Sequence, residues 1–252
     1  MADLTLSILA IIVLAAFVPS LILMLVVKNT ERRGREPTGR TFAAFLRGAT
    51  LSILLALAIE LALVYLIFGL DVVRVSELLG RYPGLDSLIL ACIIAPFAEE
   101  LTKALGILPY ARRSRELEDG IVYGAVVGLG FAATENLLYE TSAWIEGGAA
   151  LLVGTIVIRT ISSALLHASA SSITGYGLAA RRFLGKSWVP YYLLAVLLHG
   201  AFNLAASAGP FLEDSTGDYG YLIGLVVAVA IGIGAFSWSR RKIMLIERKG
   251  TA

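Results

Sequence analysis

Seven apolar stretches follow one another along the chain, at about 4–27, 49–70, 86–108, 120–139, 149–175, 189–208 and 219–239. Each is close to the roughly 20 mostly apolar residues that a membrane-spanning helix needs. The polar connections between them are short and leave no room for a separate soluble domain. The pattern therefore predicts an all-α polytopic membrane protein, one integral domain over residues 1–252 built as a bundle of about seven transmembrane helices. The first stretch, Leu4 to Val27, has an acidic residue before it and its basic cluster after it. It is also longer than the roughly 7–15-residue apolar core of a signal peptide, so a retained helix is expected.

Composition agrees. Hydrophobic residues make up 58% of the chain and charged residues only 16%, where a soluble domain carries about 25% charged. A multi-pass protein of the cell membrane follows, with the lipid bilayer as its surroundings. A net charge of +2 gives no reason to expect nucleic acid as a partner. The single cysteine, Cys92, excludes an intramolecular disulfide and reads as a small buried hydrophobe. Lysine and arginine alternate from loop to loop. They crowd into 28–48, 109–119, 176–188 and the segment after 239, whereas 71–85 holds only Arg74 and Arg81. Segments 140–148 and 209–218 hold none, and carry Glu140, Glu146, Glu213, Asp214 and Asp218 instead. Because the cytoplasmic side attracts Lys and Arg, the N-terminus is expected outside and the C-terminus in the cytoplasm.

The chemistry lies in the polar residues left within the spans: Glu60, Glu99, Glu100, Lys103, Glu135, Asn136, Arg159, His167, His199 and Asn203. A charge at the bilayer centre costs about 2.5–3.5 kcal/mol on insertion scales, so these groups should face inward and pair. Lys103 follows Glu99 at i+4 and Glu100 at i+3, within reach of both on one helix. Gly120, Gly124 and Gly128 recur every four residues and predict a close helix–helix contact. Thr155, Arg159, Ser163, His167 and Ser171 form a polar stripe on the fifth span, and His199 and Asn203 share a face of the sixth. Glu60 is the expected neutralising partner of Arg159. Simple depth counting puts Glu99, Glu100 and His199 near the midplane, Glu135 towards the outside and His167 towards the cytoplasm, so a single cluster requires tilted or offset helices.

The runs EELTK, DGIVYGAVVGLGFAATENLLY, HASASSITGYGLA and HGAFN, in that order over about residues 86–206, resemble the PrsW-type membrane proteases. These belong to the broader CAAX-protease and bacteriocin-processing group. The resemblance implies an intramembrane protease acting on a membrane-anchored protein or peptide, such as an anti-sigma factor. It also implies that Glu99 activates water beside Glu100, with Lys103 as the basic residue, and that His199 and Asn203 position the reacting groups and stabilise the oxyanion. The broader group has a phenylalanine followed four residues later by histidine. Here that pair is Phe131 and Glu135, a carboxylate in place of the histidine, so the group's mechanism does not carry over whole.

Two chemistries stay open. In one, without a cofactor, Glu99 is a general base and His199 and Asn203 donate to the oxyanion. In the other, two or three of Glu99, Glu100, Glu135, His167 and His199 bind zinc. Lys103 opposes a dication, and no HExxH signature is present. A proton- or cation-coupled transporter is the alternative function, since it too places acids at mid-membrane, although no internal repeat relates the halves of the chain. A scaffold that holds a partner's helix is a further alternative.

Overall fold

A computed structural model describes residues 5–32, 34–70, 84–217 and 219–249. Arg33, Arg74, Arg81 and Asp218, four of the expected loop charges, lie outside the described residues. Among the described residues the regular structure is entirely helical. Helix α1 is Leu6–Lys28 and α2 is Thr38–Gly69, the latter widened by π turns at Gly48–Ser52 and Tyr65–Gly69. Helix α3 covers 85–111, with a π turn at Leu90–Ile94. Then come α4 (Asp119–Ile161), α5 (Ser163–Leu184), α6 (Val189–Ala206), the short α7 (Gly209–Thr216) and α8 (Tyr219–Lys249).

Among the described residues, five helical segments are long and apolar enough to cross a membrane. One of them, Asp119–Leu184, has 66 residues and would be about 100 Å long if straight, over three times the roughly 30 Å hydrocarbon core. It reverses at Gly148, where φ is 63°, and so supplies two crossings. With α3, whose charged triplet lowers its hydropathy, about seven crossings result. Several boundaries differ from expectation: α2 begins at Thr38, inside the expected loop 28–48, and helix covers most of the expected loop 140–148. The stretch 149–175 is not one helix, because the backbone leaves helical geometry at Ser162 (φ −123°, ψ −71°). The segment 209–218, expected as a loop, carries α7.

The first leg of α4 is the centre of the bundle, and every residue from Asp119 to Ala133 is buried. Its glycines explain how. A Cβ on Gly120, Gly124 or Gly128 would lie 2.4, 2.2 or 2.2 Å from the carbonyl oxygen of Gly175, Ser171 or His167. Each step of four along α4 matches four back along α5, so the two backbones run antiparallel in van der Waals contact, as a small-residue stripe permits. On another face, Gly130 approaches the Phe45 carbonyl and Gly48 the Val127 carbonyl, each with 2.0 Å for an added Cβ. Helix α4 is thereby clamped between α2 and α5. Cys92, expected buried, is only partly covered.

Four carboxyl groups are buried at the end of the bundle where α1 joins α2 and α4 begins: Glu31, Glu36, Glu118 and Asp119. The Tyr123 hydroxyl donates to Glu36 at 2.5 Å, and Asp119 accepts from the Arg115 and Glu116 backbone. Burial, reinforced by Asp119, pushes the Glu31 carboxyl up to about 8. Burial, then Glu116 and Asp119, pushes Glu118 up to about 7. Both values lie above the ordinary 4.5. Their contribution to stability is therefore full below about pH 4.5 and is lost as pH rises through about 7 and 8. The detergent-solubilised protein should melt at progressively lower temperature from pH 5 to pH 9. Glu31→Gln should flatten that slope, and an unchanged slope in the variant would contradict the assignment.

Candidate active site

Four helices bring the polar residues of the spans to one place. Helix α3 supplies Glu99, Glu100 and Lys103, and the first leg of α4 supplies Phe131, Glu135 and Asn136. The returning leg supplies Arg159 and, after the break at Ser162, His167 and Ser171 of α5; α6 supplies His199 and Asn203.

Lys103 is fully buried and is the hub. Its ammonium donates to Glu99 Oε2 and Glu100 Oε1, both at 2.9 Å, and to His167 Nδ1 at 2.8 Å, and it lies 4.0 Å from the centre of the Phe131 ring. The i+3 and i+4 spacing thus serves both glutamates at once. His167 Nε2 meets Glu135 Oε2 at 2.9 Å, and His199 Nδ1 meets Glu100 Oε1 at 3.0 Å. Ser171 Oγ donates to Glu100 Oε2 at 3.4 Å. The two imidazoles stand edge to face, with ring centres 4.9 Å apart.

These partners set the tautomers. A charged Lys103 donating to His167 Nδ1 leaves the ring proton on Nε2, facing Glu135. The carboxylate of Glu100 at His199 Nδ1 places that ring's proton there. His167 Nδ1, whose lone pair accepts from Lys103, and His199 Nε2, left without a proton, lie 3.8 and 4.0 Å from Glu99 Oε2. Glu99, His167 and His199 thus offer three ligand atoms within 4.8 Å of one another, all from buried residues. Behind them, Glu135 orients one histidine and Glu100 the other, the outer-shell arrangement that metal-binding histidines use. Two histidines and a carboxylate suit zinc. Lys103 shares two of the three ligand atoms and would compete with a dication for them.

The two adjacent glutamates differ in access. Glu99 lines a cavity of about 480 Å³ together with Glu60, Phe131, Glu135, Tyr139, Arg159, Ser163, His167 and Asn203, whereas Glu100 does not reach it. Arg159 donates to Glu135 Oε2 at 2.5 Å, to Asn136 Oδ1 at 2.7 Å and to Ser163 Oγ at 3.1 Å, and its guanidinium lies 3.8 Å over the Tyr139 ring. The expected Arg159–Glu60 pair is not found among the described residues. The two residues line the same cavity, but the partner of Arg159 is Glu135, on the adjoining leg of its own hairpin. Asn203 also lines the cavity, with its amide nitrogen donating to the Ala91 carbonyl at 2.7 Å, inside the π turn of α3. The loosened ladder of that turn gives the amide an acceptor.

The depth mismatch between Glu135 and His167 resolves locally. Gly128 packs against the His167 carbonyl, so His167 is level with the middle of the first leg of α4. Helical side chains lean towards their own N-terminus. In an antiparallel pair, Glu135 and His167 therefore lean towards each other and meet near the level of Phe131, whose ring lies 5.5 Å from that of His167. Tyr139 was not singled out from the sequence, although it continues the i+4 series of Phe131 and Glu135.

Comparison with known proteins finds relatives of the chain. The sequence profile of the PrsW family intramembrane metalloproteases matches residues 36–234. Protease PrsW of Clostridioides difficile (strain 630) is 30% identical over 200 residues, covering 75% of this chain and 76% of that protein. Protease PrsW of Bacillus subtilis (strain 168) is 31% identical over 134 residues, covering 50% and 57%, and that of Geobacillus kaustophilus (strain HTA426) is 28% identical over 170, covering 65% and 67%. No solved structure matches the chain. A buried cluster of carboxylates and histidines in a helical membrane bundle, joined to a profile match over most of the sequence, identifies the chain as a membrane-embedded peptidase that belongs to the PrsW family of intramembrane metalloproteases.

Proposed function

We propose that the protein hydrolyses a peptide bond of a membrane-anchored protein at the cavity lined by Glu99, Glu135, Arg159 and His167, with zinc held by Glu99, His167 and His199. The observation that carries this reading is the closeness of Glu99, His167 and His199, all buried, which offer three ligand atoms within 4.8 Å of one another. When bound, zinc polarises the scissile carbonyl and yields a water that ionises near pH 7.

The rest is work for the chain's own side chains. Glu100 and Glu135 fix the two imidazoles in the orientation that presents their lone pairs. Glu135, which also borders the cavity, takes the proton of the attacking water and passes it to the leaving amine. Arg159 and Asn203 border the same space and hold the developing oxyanion. Lys103 offsets the two glutamates and occupies the ligand atoms of Glu99 and His167 when no ion is held. An anti-sigma factor, implied by the resemblance, is one substrate of the right class.

Purified in mild detergent, the wild-type protein should carry about one zinc per chain, and His199→Ala should carry almost none. Wild type that retains cleavage after thorough chelation would remove the metal from the mechanism and return Glu99 to the role of general base. The loop charges favour an outside N-terminus and a cytoplasmic C-terminus. A tag on the N-terminus should then be cut by protease added to intact cells, and a protected tag would reverse the orientation.

A further inference from the structure

A second cavity, of about 440 Å³, lies away from the catalytic cluster, between the second half of α3 and the end of α5. Leu101, Leu105 and Leu108 of α3 and Leu178 of α5 wall it, and Arg112, Arg181 and Arg182 stand at its end beside Trp188. Its lining contains no acidic residue. The Arg182 guanidinium donates to the Arg112 carbonyl, whereas Arg112 and Arg181 are exposed and make no ion pair among the described residues.

The dimensions fit one leaflet. From Leu101 to Arg112 the helix rises about 16 Å, close to half of a roughly 30 Å hydrocarbon core. If Glu100 lies near the midplane, Arg112 is about 18 Å away along the helix axis, at the level of lipid phosphates. Trp188 belongs at that depth too, since tryptophan favours the membrane–water interface. The groove therefore runs the length of an acyl chain and ends in unpaired positive charge.

We propose that this groove is a binding site for an anionic glycerophospholipid, with an acyl chain along Leu101, Leu105 and Leu178 and the phosphate held by Arg112 and Arg181. Basic pockets between transmembrane helices take headgroups of this class. A zwitterionic headgroup would bring its own cation into the arginine cluster and gain less. Because Leu101 and Leu105 share α3 with Glu99, Glu100 and Lys103, a seated lipid would brace the helix that carries the catalytic glutamates.

The test is retention of lipid by the full chain, read by native mass spectrometry after equilibration with phosphatidylglycerol or phosphatidylcholine in mixed micelles. Two guanidiniums at a headgroup predict a preference for phosphatidylglycerol of about tenfold or more. Arg112→Gln with Arg181→Gln should abolish the preference, whereas Arg113→Gln, outside the groove, should leave it unchanged. Leu105→Trp fills the groove without altering charge and should reduce retention of phosphatidylglycerol. Millimolar inorganic phosphate should not displace the lipid. Equal retention of the two lipids by wild type, an undiminished preference in the double variant, or displacement by phosphate alone would each overturn the proposal. All of the variants can be checked for a wild-type melting profile, so misfolding would be recognised.

Discussion

Replacing Glu99 with glutamine is expected to lower peptide-bond cleavage by about a hundredfold or more while leaving the bundle folded. Glutamine keeps the shape of the side chain and an oxygen for Lys103, so the packing of α3 should persist. What it removes is the carboxylate charge that lies 3.8 and 4.0 Å from the two imidazoles. Glu99 is also the member of the adjacent pair that reaches the cavity. Glu100→Gln should act differently. Glu100 holds His199 and accepts from Lys103 and Ser171 without lining the cavity, so its loss disturbs orientation and packing together. A cleavage assay paired with thermal melting separates the two. Glu99→Gln should be inactive with near-normal melting, and Glu100→Gln should lose activity and melt earlier. Near-normal cleavage by Glu99→Gln would remove that residue from the catalytic set.

Gly124→Leu should have the largest effect on stability. A Cβ at position 124 would lie 2.2 Å from the Ser171 carbonyl oxygen and 2.8 Å from the Ser172 Cα, both backbone atoms with no rotamer to yield. Overpacking a well-filled core costs about 1–3 kcal/mol when side chains can adjust, and here the helices themselves must separate. The damage would reach the active site, since the Gly128–His167 contact lies one turn further along the same seam. Gly154→Leu is the control, because an added Cβ there meets nothing within 4 Å. Melting in detergent should fall sharply for the first and stay near wild type for the second. Equal melting of the two would contradict the close-packed seam.

The features legible in the sequence are those set by local spacing. Length and hydropathy define the spans, the four-residue glycine repeat announces the α4–α5 contact, and the Glu99, Glu100 and Lys103 spacing announces their ion pairs. What escaped depends on how one helix registers against another. Arg159 pairs with Glu135 because the chain reverses at Gly148 and brings positions 24 residues apart together, a consequence that no helical periodicity reports. The break at Ser162 falls within a single expected span, with no glycine or proline beside it to mark it. The contact of Asn203 with Ala91 depends on a π turn, which has no hydropathy signature. The lipid groove stayed hidden because its arginines also serve as ordinary topology charges.

The central claim, that this buried cluster hydrolyses membrane-anchored proteins, is tested most directly by the new polypeptide termini formed in cells. Membrane proteins from cells expressing wild type or Glu99→Gln at matched levels would be compared by terminal-peptide mass spectrometry, in a host that carries the chain's own membrane proteins. Termini that appear with wild type and vanish with Glu99→Gln, mapping to membrane-anchored proteins, are the predicted result and would name the substrate. Identical termini in the two, with both proteins folded in the membrane, would contradict the account.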